Sequence, residues 1–196
     1  FSRTLHEGLR AALSDSPDGI FLRLGGRSFV TEDRGPQRVT SVAQALDVLS
    51  APGDRAARMA RRCILAGRPV WLFARAWRVI APAQEFRLWI HQRRLVAASQ
   101  HHHRHCFPGV VTRGHELAAA VEGFARRLCP RLHLGNVVAD VWNHSSFEPA
   151  CELIELNPAM SATGRALLGD GPFGGMPRAL HLLHPDGGIA LFELSG

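Results

Sequence analysis

Two short runs constrain this chain more than anything else in it. Glu85 to His91 reads EFRLWIH, Arg94 to Gln100 reads RLVAASQ, and only Gln92-Arg93 lies between them. Side chains alternate along a strand, so Phe86, Leu88 and Ile90 fall on one face and Glu85, Arg87, Trp89 and His91 on the other. Two such runs joined by two residues predict an antiparallel hairpin, although the turn lacks the favoured Asn-Gly. A lone hairpin cannot bury its apolar face in water, so other elements must cover it.

The rest of the chain supplies them. Asn136 to Trp142 (NVVADVW) and Cys151 to Asn157 (CELIELN) read as two strands joined by a polar loop, the second stopped by Pro158. Gly114 to Leu128 reads as a helix, with Leu117, Val121, Phe124 and Leu128 at helical spacing and Pro130 beyond it. Upstream, GIFLRL at 19–24 reads as a strand after a Ser-Pro-Asp-Gly turn, with Arg27 to Thr31 as its hairpin partner. Ser41 caps a helix through Leu49, a second helix runs from Arg55 to Leu65 and ends at Gly67, and Pro69 to Ala76 reads as a buried strand. Residues 159 to 188 read as irregular, with a last strand over Ile189 to Leu194. The order predicts an α+β fold with a largely antiparallel sheet and flanking helices, divided into residues 1–68 and 69–196. The Gly-x-Gly-x-x-Gly fingerprint is absent.

Composition narrows the chemistry. All 23 basic residues are arginine, against 17 acids, for a net charge of +6. A codon bias toward Arg, Ala, Gly and Pro accounts for this; recruitment of Arg for bidentate contact with phosphate is the functional alternative. Without lysine, neither a Schiff-base nor a P-loop lysine is available. The Arg pairs at 61–62, 93–94 and 126–127 are scattered and lack interleaved aromatics, so they read as solvated surface and nucleic acid is not the expected partner. The four cysteines form no C-x-x-C pair; Cys63 and Cys151 sit in apolar runs and read as core, in a reducing, cytoplasmic setting. No membrane span is expected. The chain opens on Phe1, as expected of a fragment or processed product.

The candidate chemistry lies on the strands. Glu155 and Asn157 are two apart and share a face, while Glu152 is expected on the other. Asp140 is the acid of the preceding strand. If the two strands pair, two carboxylates and an amide oxygen meet at one surface, a set of hard ligands suited to magnesium on a triphosphate. The alternative is an exposed acid and a turn-starting Asn before Pro158. Arg87 and Glu85 read either as an exposed cross-strand ion pair, or as a phosphate-binding arginine oriented by the acid.

The ordered set EFRLWIHQRRLVAASQHH, then VVADVW, then ELIELNP resembles the ATP-grasp proteins related to the cell-division-cycle protein that assembles translation initiation factor two. It also resembles the short bacterial and phage ATP-grasp domains allied to that group. IFLRLGGRS is similar to that group's first nucleotide-binding hairpin, with Arg23 and Arg27 at basic positions, and LFARAW is similar to the strand against which adenine packs, at Phe73 to Trp77. The resemblance spans about residues 19 to 158. It implies an ATP-grasp-like fold, ATP and magnesium as cofactors, and phosphate contacts from Arg23, Arg75 and Arg87, with Arg87 as the catalytic candidate. It also implies nucleotide contacts from Arg27, Phe73, Trp77 and Glu85, and metal binding by Asp140, Glu155 and Asn157. The run Ser28 to Asp33 lacks the group's lysine, Ala76 stands where an acid is usual, and the segment after Pro158 does not read as the group's closing helix. The implied activity is a ligase joining an unknown carboxylate to an amine through an acyl phosphate; the alternative is a non-catalytic, nucleotide-dependent module that binds or assembles a protein partner.

His101-His102-His103-Arg104-His105-Cys106 carries imidazole and thiolate donors, but the spacing matches no zinc motif. Contact with substrate or phosphate, a transition-metal site and a plain loop all stay open. His181 and His184 read as surface residues.

Overall fold

The computed structural model describes the chain except for residues 1, 26, 32–34, 52–54, 145–150, 160–165, 169–176 and 196. The chain forms two compact units, Phe1–Val79 and Ile80–Gly196.

The first unit opens with a helix that the sequence reading omits, α1 (Arg3–Ser14), in which Ser2 accepts a hydrogen bond from the Leu5 amide. Its Leu5, Leu9, Ala12 and Leu13 join the core cluster that includes the buried Ile20, Leu22 and Leu24 of β1 (Ile20–Leu24). The expected hairpin partner forms only at β2 (Arg27–Ser28). Phe29 then turns into the core, and β3 (Val30–Thr31) pairs with β4 (Gly35–Pro36) instead. The helix α2 (Val42–Ser50) starts as expected at Ser41, whose hydroxyl accepts from the Gln44 amide. The helix α3 (Arg55–Leu65) ends at Gly67, φ +65°, where the amides of Gly67 and Arg68 reach back to the carbonyls of Ile64 and Cys63. This pairing requires a left-handed residue, which glycine adopts without a Cβ clash. Cys63 is only half-buried, not core.

β5 (Leu72–Ala76) corrects the expected buried strand. It pairs antiparallel with β1 at the edge of the sheet β2-β1-β5, and Phe73 is 52% exposed. An edge strand has one hydrogen-bonding neighbour, which leaves its outer side open. This pairing also carries the unit beyond the expected 68/69 boundary, to residue 79.

The second unit is an α+β arrangement on a six-stranded sheet. Its elements are β6 (Glu85–His91), β7 (Arg94–Gln100), α4 (Pro108–Thr112), α5 (Gly114–Leu128), β8 (Val137–Asn143), β9 (Cys151–Pro158), β10 (Ala179–Leu183) and β11 (Ile189–Glu193). The order is β11-β10-β7-β6-β8-β9, antiparallel throughout except for the parallel β10–β7 pair. The hairpin stands as read, and its turn places Gln92 and Arg93 at φ +49° and +58°. The amides of both are held from outside, by Asn136 Oδ1 and the Gly135 carbonyl, each at 2.9 Å. Phe86, Leu88 and Ile90 pack on Leu117, Val121 and Phe124 of α5. β10 replaces part of the segment expected to be irregular. Leu180 and Leu182 pack toward α5, and its sequence ALHLL shows no clean alternation because it is covered on both faces. His181 is accordingly buried, against expectation.

Trp89 is the large apolar side chain on the other face of β6. It lies on the face of Arg87 and is buried with Ala97, Val138 and Leu168, where residues 166–168 fold back over that end of the sheet. Among the described residues, no helix is long and apolar enough to cross a membrane.

Candidate functional site

The face of the sheet opposite α5 carries a polar row. Register sets Ser99 of β7, Arg87 of β6, Asp140 of β8 and Glu155 of β9 side by side, with His181 of β10 next to Ser99. Asp140, whose pairing with the last strand the sequence left conditional, is directly opposite Glu155.

Arg87 donates from Nε to Oδ1 of Asp140 at 2.7 Å and from Nη2 to Oδ2 at 2.8 Å. This two-point pair couples orientation to charge. Asp140, and not Glu85, therefore orients Arg87. Asp140 is 1% exposed. Burial alone would raise its pKa, but the hydrogen bonds and charges of Arg87 and His101 bring it down to about 2. Burial likewise opposes the charge on Arg87, and Asp140, with the charges of Glu155 and Glu85, more than offsets it, so its pKa is raised.

Asn157 completes the cluster. Its Nδ2 donates to Oδ2 of Asp140 at 3.0 Å and to Oε1 of Glu155 at 2.8 Å. Two carboxylate oxygens from neighbouring strands thus converge on one atom. Turning the amide over would present its oxygen at the same spot, since which end faces inward follows the partners present. The donor set of two carboxylates and an amide is the hard-oxygen chemistry that magnesium takes, and it fits such an ion. A bulge at β9 between the Asp140–Glu155 and Val141–Leu153 pairs adds Ile154 as an extra residue. The bulge returns Glu152, opposite Trp142, to the face of Asp140, correcting the strict alternation expected of that strand.

Glu85 serves the histidine loop. His102 Nε2 lies 3.1 Å from Glu85 Oε2, and His101 Nδ1 lies 3.7 Å from Glu85 Oε1 and 3.6 Å from Asp140 Oδ1. Burial disfavours the charged form of His101, and contact with Asp140 and the charge of Glu85 outweigh it, so its pKa is raised. Gln100 orders the loop, donating to the carbonyls of His102 (3.0 Å) and His105 (2.6 Å) and accepting from the Leu183 amide (2.9 Å). Among the described residues, no group of three or more His, Cys, Asp and Glu side chains is arranged to hold a metal ion. Sequence reading did not assign this role to Gln100. The one available signal was its place at the end of a strand beside a histidine run.

In the first unit, register sets Arg23 opposite Phe73 and Phe21 opposite Arg75 on one face of the β1–β5 pair. Arg23 is buried, and Trp77 meets Phe21 edge-on at 6.3 Å between ring centroids. The Arg27 backbone pairs with Leu24; its side chain lies outside the described residues, as do 32–33 of the expected phosphate hairpin.

No curated protein matches the chain. Among solved structures, Cdc123 from Schizosaccharomyces pombe superposes with a TM-score of 0.65 at 15% identity, over 83% of this chain and 68% of that one. The C-terminally truncated form of the same protein gives 0.65 and 15%, over 91% and 78%. A RimK-domain ATP-grasp protein from Sphaerobacter thermophilus gives 0.42 at 16% identity, over 77% and 47%. The family model described as D123 matches residues 16–169, a span that contains the whole polar row from Arg87 to Asn157, and the chain belongs to the D123 family.

Proposed function

We propose that this chain is a nucleotide- and magnesium-binding module whose bound nucleotide serves association with a protein partner. The observation that carries the reading is the convergence of Asp140 Oδ2 and Glu155 Oε1 on the Asn157 amide. Asp140, Glu155 and Asn157 would hold the ion, and bound magnesium would neutralise phosphate oxygens of ATP. Arg87 keeps Asp140 ionised and oriented, and adds a positive charge beside the metal edge. Glu85, with His101 and His102, closes one side of that edge. Arg23, Arg27, Phe73, Arg75 and Trp77 enter as nucleotide contacts on the strength of the ATP-grasp resemblance. The assembly role is preferred to ligation because the run Ser28 to Asp33 has no lysine, so part of the group's phosphate grip is missing. That preference agrees with the resemblance to the initiation-factor assembly group.

Calorimetry with ATP, with and without magnesium, tests the reading. Magnesium-dependent binding is expected, weakened on the order of tenfold or more by Glu155→Gln, with no product formed across a panel of carboxylates and amines. Absence of heat under both conditions sinks the nucleotide reading. ADP release that requires a carboxylate and an amine together would replace the assembly role with a ligase.

A further inference from the structure

A second feature of the Ile80–Gly196 unit has no part in the polar row. Between the β6–β7 turn and the C-terminal half of α5 lies an open cleft of about 740 Å³. Arg93, Arg94, Arg126 and Arg178 stand around it, and its floor is apolar, including Leu95 and Cys129. Glu122 of α5 reaches it from beneath. This carboxylate is 4% exposed, and its Oε1 lies 3.5 Å from Nη2 of Arg178 without a hydrogen bond among the described residues. Glu122 is thus paired with Arg178 from beneath, and its Oε1 is closed off from the cleft.

Three properties describe the occupant. Four guanidiniums face one carboxylate, which favours an anion. The apolar floor takes a hydrophobic side chain. None of the lining residues is an aromatic on which a base would stack, which disfavours a nucleic acid. We propose that this cleft docks an acidic peptide segment of a protein partner, with an apolar side chain on the floor and carboxylates on the arginines. The inference stands apart from the nucleotide reading, since it uses none of the same residues.

The test uses the whole chain and fluorescence anisotropy. The probe is a fluorescein-labelled peptide of glutamates around a central leucine. It is compared with the same peptide carrying serine for leucine, and with a single-stranded oligonucleotide of equal charge. Saturable binding of the leucine peptide is expected, falling with added salt and weaker for the serine peptide. Arg94→Glu with Arg126→Glu should weaken it by about tenfold or more. Both arginines are exposed, so an unchanged circular dichroism spectrum is expected. The proposal is overturned by no saturable binding, by equal binding to the charge-reversed variant, by equal binding of the serine peptide, or by arginine-dependent binding of the oligonucleotide in preference to the peptide.

Discussion

Arg87 and Asp140, 53 residues apart in the chain, face each other on adjacent strands and close a bidentate hydrogen-bonded pair at 2.7 and 2.8 Å. Their side chains are 12% and 2% exposed, so neither charge is well served by water if the other is removed. Asp140→Ala should therefore destabilise the fold by roughly 3–5 kcal/mol, because it removes the two-point partner of a largely buried guanidinium. Chemical denaturation of the two proteins measures this.

The same pair sets an acid dependence. The pKa of Asp140 falls from 3.8 to about 2 in the folded protein, so its contribution is full above 3.8 and is lost as pH drops through 2. Its size is on the order of 2 kcal/mol. The His101 shift has the opposite sign: raised in the folded state, it contributes below the ordinary 6.5 and loses that contribution as pH rises through the folded value. Urea midpoints of wild type and Asp140→Asn from pH 1.5 to 5 should converge at the acid end. Parallel curves would show that Asp140 is not the group responsible.

Gly114 and Gly109 lie close in sequence and should respond oppositely to alanine. A Cβ at Gly114 would fall on the Phe192 ring, whereas a Cβ at Gly109 meets nothing within 4 Å. Gly114→Ala should cost about 1–3 kcal/mol through overpacking. Gly109→Ala should be neutral, or stabilising by up to about 1 kcal/mol. Thermal melts of the two variants decide this, and similar losses in both would contradict the close approach of α5 to β11.

Gln100 satisfies two loop carbonyls and one strand amide with a single buried side chain. Gln100→Leu should cost about 1–3 kcal/mol, the penalty for the groups left unmet. Hydrogen exchange should quicken at the Leu183 amide, which loses its acceptor, while the amides of α5 exchange as before.

Local pattern made a good part of this legible. Strand alternation predicted the hairpin and the shared face of Glu155 and Asn157, and capping signals located α2 and the end of α3. The misses have physical causes. Phe29 left the expected hairpin because its side chain had a core to enter. β10 hid its period because both faces are covered, and β5 kept an apolar sequence at an exposed edge.

The sequence by itself determined which residues form strands and which neighbours on one strand point the same way, because those follow from backbone geometry over a few residues. It did not determine that Asp140 stands opposite Glu155, that Glu152 shares their face, that Arg87 pairs with Asp140 and not with Glu85, or that His181 is buried. Each of those depends on the register between strands distant in the chain, and on one bulge at Ile154. A shift of one residue in register turns every later side chain to the other face, so only the assembled sheet decides them.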